Sequence, residues 1–83
     1  MQVSVRLFAT LRQIAGWNQR SFEVGEGASV GDVIDAVDQS VPQLGLRRRT
    51  VYIAVNQEYA RPDYRLQARD EVAIFPPVSG GAE

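Results

Sequence analysis

The sequence predicts a single two-layer α+β domain, a mixed sheet of about five strands packed on one main helix. Three observations predict it. Apolar residues alternate with period two at Val3, Val5 and Leu7, at Val51, Ile53 and Val55, and at Val72 and Ile74. Only one segment, about residues 30–40, has the length and spacing of a substantial helix. No repeat, linker or composition shift divides the 83 residues. One long helix covers one face of a sheet, so the chain leaves the other face uncovered.

The elements follow in order. Val3, Val5 and Leu7 alternate with Gln2, Ser4 and Arg6, the period of a half-buried strand. Thr10 is suited to cap a short helix carrying Leu11, Ile14 and Ala15, which Gly16 ends. Phe22 and Val24 suggest a second strand, closed by the turn-rich Gly25-Glu-Gly27. Ser29 is a good N-cap for the main helix, where Val30, Val33, Ile34 and Val37 share one face and Asp32, Asp35 and Asp38 the other. Its β-branched content is poor for an isolated helix, so packing on the sheet must hold it. Burying those four side chains contributes on the order of 6 kcal/mol before entropy is subtracted. Pro42 stops the helix.

A third strand carries Val51, Ile53 and Val55, with Tyr52 and Ala54 on its opposite face. Asn56-Gln57 reads as a turn into a short strand near 58–61. Pro62-Asp63 opens an irregular stretch in which Leu66 is the expected core plug. Asp70 precedes the last strand, Glu71 to Phe75. The folded body is thus 1–75, and 76–83 is expected to be a flexible tail carrying Gly80-Gly81.

Composition narrows the chemistry. A net charge of −1 offers no field to recruit nucleic acid or an anionic membrane. No apolar run approaches the roughly 20 residues of a membrane span, and a cytoplasmic location is the expectation. There is no cysteine and no histidine, and all nine basic residues are arginines. A thiol nucleophile, an imidazole base and a lysine Schiff base are therefore all excluded. An enzyme made of this chain alone would work with carboxylates and hydroxyls only.

Two features are left over. Val72 and Ile74 share a face, so Ala73 and Phe75 point the other way, and Phe8 falls on the polar face of the first strand. Tyr52 and Tyr59 belong to the same outward set. Either these aromatics fold over the edge of the core, or they form an exposed apolar patch that binds another protein. The strand phases favour the patch.

The second feature is the run Phe75-Pro-Pro-Val-Ser-Gly-Gly81. Pro76 and Pro77 cannot extend a sheet ladder and favour polyproline geometry, which projects Val78 and Ser79 away from the body. Residues 76–81 span at most about 20 Å when extended, enough to thread a cleft. Gly80 and Gly81 have no Cβ, so their backbone passes a constriction closed to any side chain. A glycine carboxylate at such a tip is unhindered for attack on the α-phosphate of ATP. The plain alternative is a frayed, glycine-rich terminus.

The stretch Asp70-Glu-Val-Ala-Ile-Phe-Pro-Pro-Val-Ser-Gly-Gly81 resembles the C-terminal signature of the small subunits of molybdopterin synthase, a group of ubiquitin-like sulfur carriers. Val3-Ser-Val-Arg-Leu-Phe-Ala9 with Leu11-Arg12, and Val55-Asn56-Gln57, are similar to its other recurring segments. The double proline is the most specific element, and the resemblance covers nearly the whole chain. It implies a β-grasp fold and a carried rather than catalytic role. An E1-like enzyme would adenylate the Gly81 carboxylate with ATP, and a sulfur donor would convert it to a thiocarboxylate. The large synthase subunit would then take the tail, Gly80 included, into its active site and build the molybdopterin dithiolene, in a heterotetramer of two small and two large subunits. The chain itself would bind no cofactor and no metal. Phe8, Tyr59 and Phe75 fall where the family presents apolar contacts, with Pro76, Pro77, Val78 and Ser79 leading into the cleft.

One departure matters. The family finishes at the second glycine, whereas here Ala82 and Glu83 follow and tie up the Gly81 carbonyl in a peptide bond. Trimming by a peptidase, a longer polypeptide such as a fusion to the large subunit, and loss of carrier chemistry with retained binding are the three explanations. Carriage for thiamine thiazole or tRNA thiolation, protein modification, and a ubiquitin-like interaction domain without covalent chemistry stand as rivals. Among the remaining residues, Arg47-Arg48-Arg49 reads as a solvated loop, Asp32, Asp35 and Asp38 as a solvated helix face, and Trp17 as a partly buried lid.

Overall fold

The computed structural model describes residues 1–77. Five strands and two helices alternate as β1 (Gln2–Leu7), α1 (Ala9–Ala15), β2 (Gln19–Glu23), α2 (Val30–Ser40), β3 (Tyr52–Val55), β4 (Glu58–Tyr59) and β5 (Glu71–Phe75). They form one sheet in the order β2-β1-β5-β3-β4. β1 and β5 run parallel at its centre, and the other neighbours pair antiparallel. Both termini of the body thus meet in the middle of the sheet, with α2 crossing one face. This is the β-grasp arrangement, as expected.

The core lies between sheet and helices. Val3, Val5 and Leu7 of β1 and Val72 and Ile74 of β5 face Val30, Val33, Ile34 and Val37 of α2, all buried. Leu11 of α1 and Leu66 belong to the same cluster. The expected period in each strand therefore places its apolar set under α2. The Ser29 cap is present: Ser29 Oγ accepts from Asp32 N at 3.2 Å, and Asp32 Oδ2 accepts from Ser29 N at 2.9 Å. Such a reciprocal box contributes about 1 kcal/mol to the helix start.

The short helix begins differently from the sequence expectation. Phe8, not Thr10, occupies the N-cap position, still extended at φ −126° and ψ 152°, with no side-chain cap. The chain turns at Ala9, whose φ is 54°, and Thr10 sits exposed in the first turn. The cause is the strand itself: β1 holds Phe8 extended beside β5, so the helix begins only after it. Gly16 ends α1 in the left-handed region at φ 85°, as expected.

The face of α2 read as merely solvated does structural work. Asp32 is the cap partner. Asp38 accepts from the Leu46 and Arg47 amides at 2.8 and 3.2 Å, fixing the 3₁₀ turn Leu46–Arg48 against the helix. Asp35 Oδ1 accepts from Arg47 Nε at 2.8 Å, and Arg47 Nη2 donates to Gly31 O at 3.1 Å. Arg47 is therefore a tether, although it is exposed like Arg48 and Arg49.

The hydrogen bond from Arg47 holds the Asp35 carboxyl below its ordinary value, with charge attraction adding to it. A lowered folded-state pKa contributes stability above the ordinary carboxylate range, and that contribution is lost as pH falls through the folded value. The pair is exposed, so its effect is small. Asp35→Asn is expected to lower the melting temperature slightly at neutral pH. The two proteins should converge below the carboxylate range, as thermal unfolding at several pH values would register.

Candidate functional site

Among the described residues, the face of the sheet opposite α2 carries no helix. Its residues follow from register. Ser4, Arg6, Glu71, Ala73, Phe75, Tyr52, Ala54 and Tyr59 occupy this side because their neighbours Val5, Leu7, Val72, Ile74 and Ile53 are buried on the other. Leu7 lies opposite Ile74 in the parallel pair, so the next residues along, Phe8 and Phe75, come side by side. Their rings stack with centroids 4.7 Å apart and planes at 23°. Both are half-buried. The two out-of-phase aromatics are thus one feature, a stacked pair on the outward face of the sheet.

Polar groups border the pair. Arg6 places its guanidinium 5.4 Å from the Phe8 ring centroid and 3.6 Å from Glu71 Oε2. With Gln57 and Tyr59 these side chains line a shallow concavity of about 290 Å³ floored by Ala54 and Ala73. The two alanines matter because larger side chains would fill it. Tyr59 stands at the rim, 83% exposed. On its other side a second apolar depression of about 500 Å³ runs over Val51, Tyr52, Ile53, Ala60 and Pro62. Tyr52 lies directly across from Phe75 in the antiparallel pair, so the exposed aromatics form a band across β5, β3 and β4.

The described chain ends beside this band. β5 ends at Phe75, followed by half-buried Pro76 and exposed Pro77. Val78, Ser79, Gly80 and Gly81 lie outside the described residues. The structure therefore gathers Phe8, Tyr59, Phe75, Pro76 and Pro77 at one corner of the helix-free face. Arg6 and Gln57 belong to the same site and escaped the sequence reading. The signal was present, since Arg6 shares its strand phase with Phe8.

Two other positions depart from expectation or add to it. Asp70, expected only to precede the last strand, is the buried carboxylate among the described residues, 8% exposed. Trp17 packs at 5.9 Å on Phe22 and carries Arg20 over its ring at 5.3 Å, a lid as expected. No helix of the described residues is long and apolar enough to cross a membrane.

Comparison with known proteins agrees with this architecture. The chain is 43% identical over 83 residues to a molybdopterin synthase sulfur carrier subunit of Chlamydomonas reinhardtii, covering 98% of this chain and 100% of the relative. It is 36% identical over 84 residues to the small archaeal modifier protein 1 of Haloferax volcanii, covering 92% and 97% of the two chains. The crystal structure of that modifier from Haloferax volcanii superposes with a TM-score of 0.88 at 34% identity, covering 98% of this chain and all of the other. The model of the ThiS family matches residues 5–81, a span that takes in most of the sheet, the aromatic corner and both tail glycines. The chain belongs to the ThiS family.

Proposed function

We propose that this chain is the sulfur-carrier subunit of a molybdopterin synthase. The observation that carries the reading is the stacked Phe8–Phe75 pair, set where the proline-glycine tail leaves the body. A partner gripping that apolar corner would have Gly80 and Gly81 within reach, since residues 76–81 span at most about 20 Å. The 43% identity to a molybdopterin synthase sulfur carrier subunit supports the pathway.

In this reading the Gly81 carboxylate, once exposed, attacks the α-phosphate of ATP on an E1-like partner. Pyrophosphate leaves and an acyl adenylate forms. Sulfide-level sulfur from a donor attacks the acyl carbon, AMP leaves, and a thiocarboxylate remains. The tail then enters the large subunit, which catalyses formation of the carbon–sulfur bonds of the dithiolene. The carrier contributes the sulfur, the side-chain-free tip and the docking face, and binds no cofactor itself. Its lack of Cys, His and Lys is consistent with that division of labour.

Reconstitution tests the proposal. Thiocarboxylated chain ending at Gly81, mixed with the large subunit and its pterin precursor, is expected to yield molybdopterin with two carriers consumed per product. Absence of product with an active large subunit would refute it. The 36% identity to an archaeal modifier protein favours a second reading, attachment of the same glycine to protein amines. Covalent adducts on partner proteins, without dithiolene formation, would be its outcome.

A further inference from the structure

The β3–β4 turn is held in an unfavourable conformation by a polar clamp outside the docking corner. Asn56 and Gln57 both have positive φ, 50° and 73°, as a two-residue type I′ hairpin turn requires. Gln57 is not glycine, and a left-handed φ is strained for an L-residue with a long side chain. β4 is only two residues long and pairs with just Ala54 and Val55. A hairpin that short does not hold itself.

The clamp runs through Asn56. Its Nδ2 donates to Asp70 Oδ1 at 2.9 Å, and its Oδ1 accepts from Glu71 N at 3.0 Å. Its own N–H donates to Glu71 O at 2.9 Å. Asp70 Oδ2 accepts from Gln67 N at 2.8 Å, so the carboxylate is held from both sides. The turn is thereby fastened to the start of β5, the strand that ends in Phe75.

We infer that Asn56 and Asp70 are positioning residues for partner docking: they fix the hairpin so that Gln57 and Tyr59 stand at the rim of the Phe8–Phe75 concavity. An exposed aromatic held in place before binding spares the partner the cost of ordering it. The identity of the partner, a large synthase subunit, rests on the proposed function. A purely structural role for the same bonds would lower stability without coupling to Tyr59.

Asn56→Gly separates the two, because glycine accepts the positive φ and the carboxamide bonds to Asp70 and Glu71 are lost without a steric clash. In a double-mutant cycle with Tyr59→Ala, affinity for the large subunit is measured for all four chains. Asn56→Gly is expected to weaken binding about tenfold when Tyr59 is present and less than about twofold when it is absent. Equal losses in both backgrounds, or none in either, would overturn the inference. Asp70→Asn, which keeps shape and loses charge, is expected to behave as Asn56→Gly does.

A second readout needs no partner. Amide exchange at Asn56 and Ala60 in the free chain is expected to quicken at least about tenfold in Asn56→Gly, while Val5 and Ile74 keep their protection. Unchanged exchange at the hairpin would also overturn the inference. Failure of the unaltered chain to bind the large subunit would strike the carrier reading as well, whereas binding without coupling strikes only this one.

Discussion

Phe75→Arg is expected to weaken association with the large subunit at least about 100-fold, the scale of a central aromatic anchor. Phe75 sits in the middle of the aromatic band, between Phe8, just past the end of β1, and Tyr52 on β3. Arginine there would lose the stacked ring and place a second cation near Arg6, already half-committed to Glu71. The fold should persist, since Phe75 is the last residue of β5 and its ladder bonds are made by the backbone. The stacking it loses is worth about 0.5–1.5 kcal/mol. Titration calorimetry and thermal unfolding on the same sample would read both effects. Unchanged affinity would refute the outward-facing patch as the docking surface.

The neighbouring residue should behave in the opposite way. Ile74→Ala is expected to cost about 2–5 kcal/mol of stability, lowering the melting temperature by at least about 10 °C. Ile74 has no solvent exposure and packs in the core under α2. Truncating it opens a cavity that surrounding valines, stiff at χ1, fill poorly. For a domain this small that is a large share of a total of about 5–15 kcal/mol. Affinity of the still-folded fraction for the partner should be unchanged, because the docking face is untouched. Adjacent substitutions with such divergent outcomes, one on binding and one on folding, are the direct consequence of the period-two pleat.

That pleat is also why so much was legible beforehand. Val72 and Ile74 against Phe75, and Val5 and Leu7 against Phe8, assign faces from spacing alone. Ser29 with Asp32 three residues on announces α2, and Pro42 its end. What spacing could not reveal were pairings between distant segments. Nothing in β1 or β5 alone states that they run parallel and adjacent, yet that register makes Phe8 and Phe75 one stacked pair. The same limit hid Asp70, whose burial depends on Asn56 and Gln67 arriving beside it, and the tethering of Arg47 by α2. The start of α1 was misplaced because a local capping preference at Thr10 loses to the tertiary demand that Phe8 remain extended. Arg6 was passed over for a simpler reason: a charged residue on an exposed phase looks ordinary until its aromatic and acidic neighbours are in place.

Everything proposed for the tail converges on one carboxylate. In the 83-residue chain Ala82-Glu83 keeps the Gly81 carbonyl in a peptide bond, so the decisive sample is the chain truncated after Gly81. Incubated with its E1-like enzyme, ATP and sulfide, then weighed intact, it is expected to gain the mass difference of one oxygen replaced by one sulfur. The 83-residue chain under the same conditions, free of peptidase, should gain nothing. A truncated chain that forms no adenylate and takes up no sulfur with any cognate activating enzyme would contradict the account.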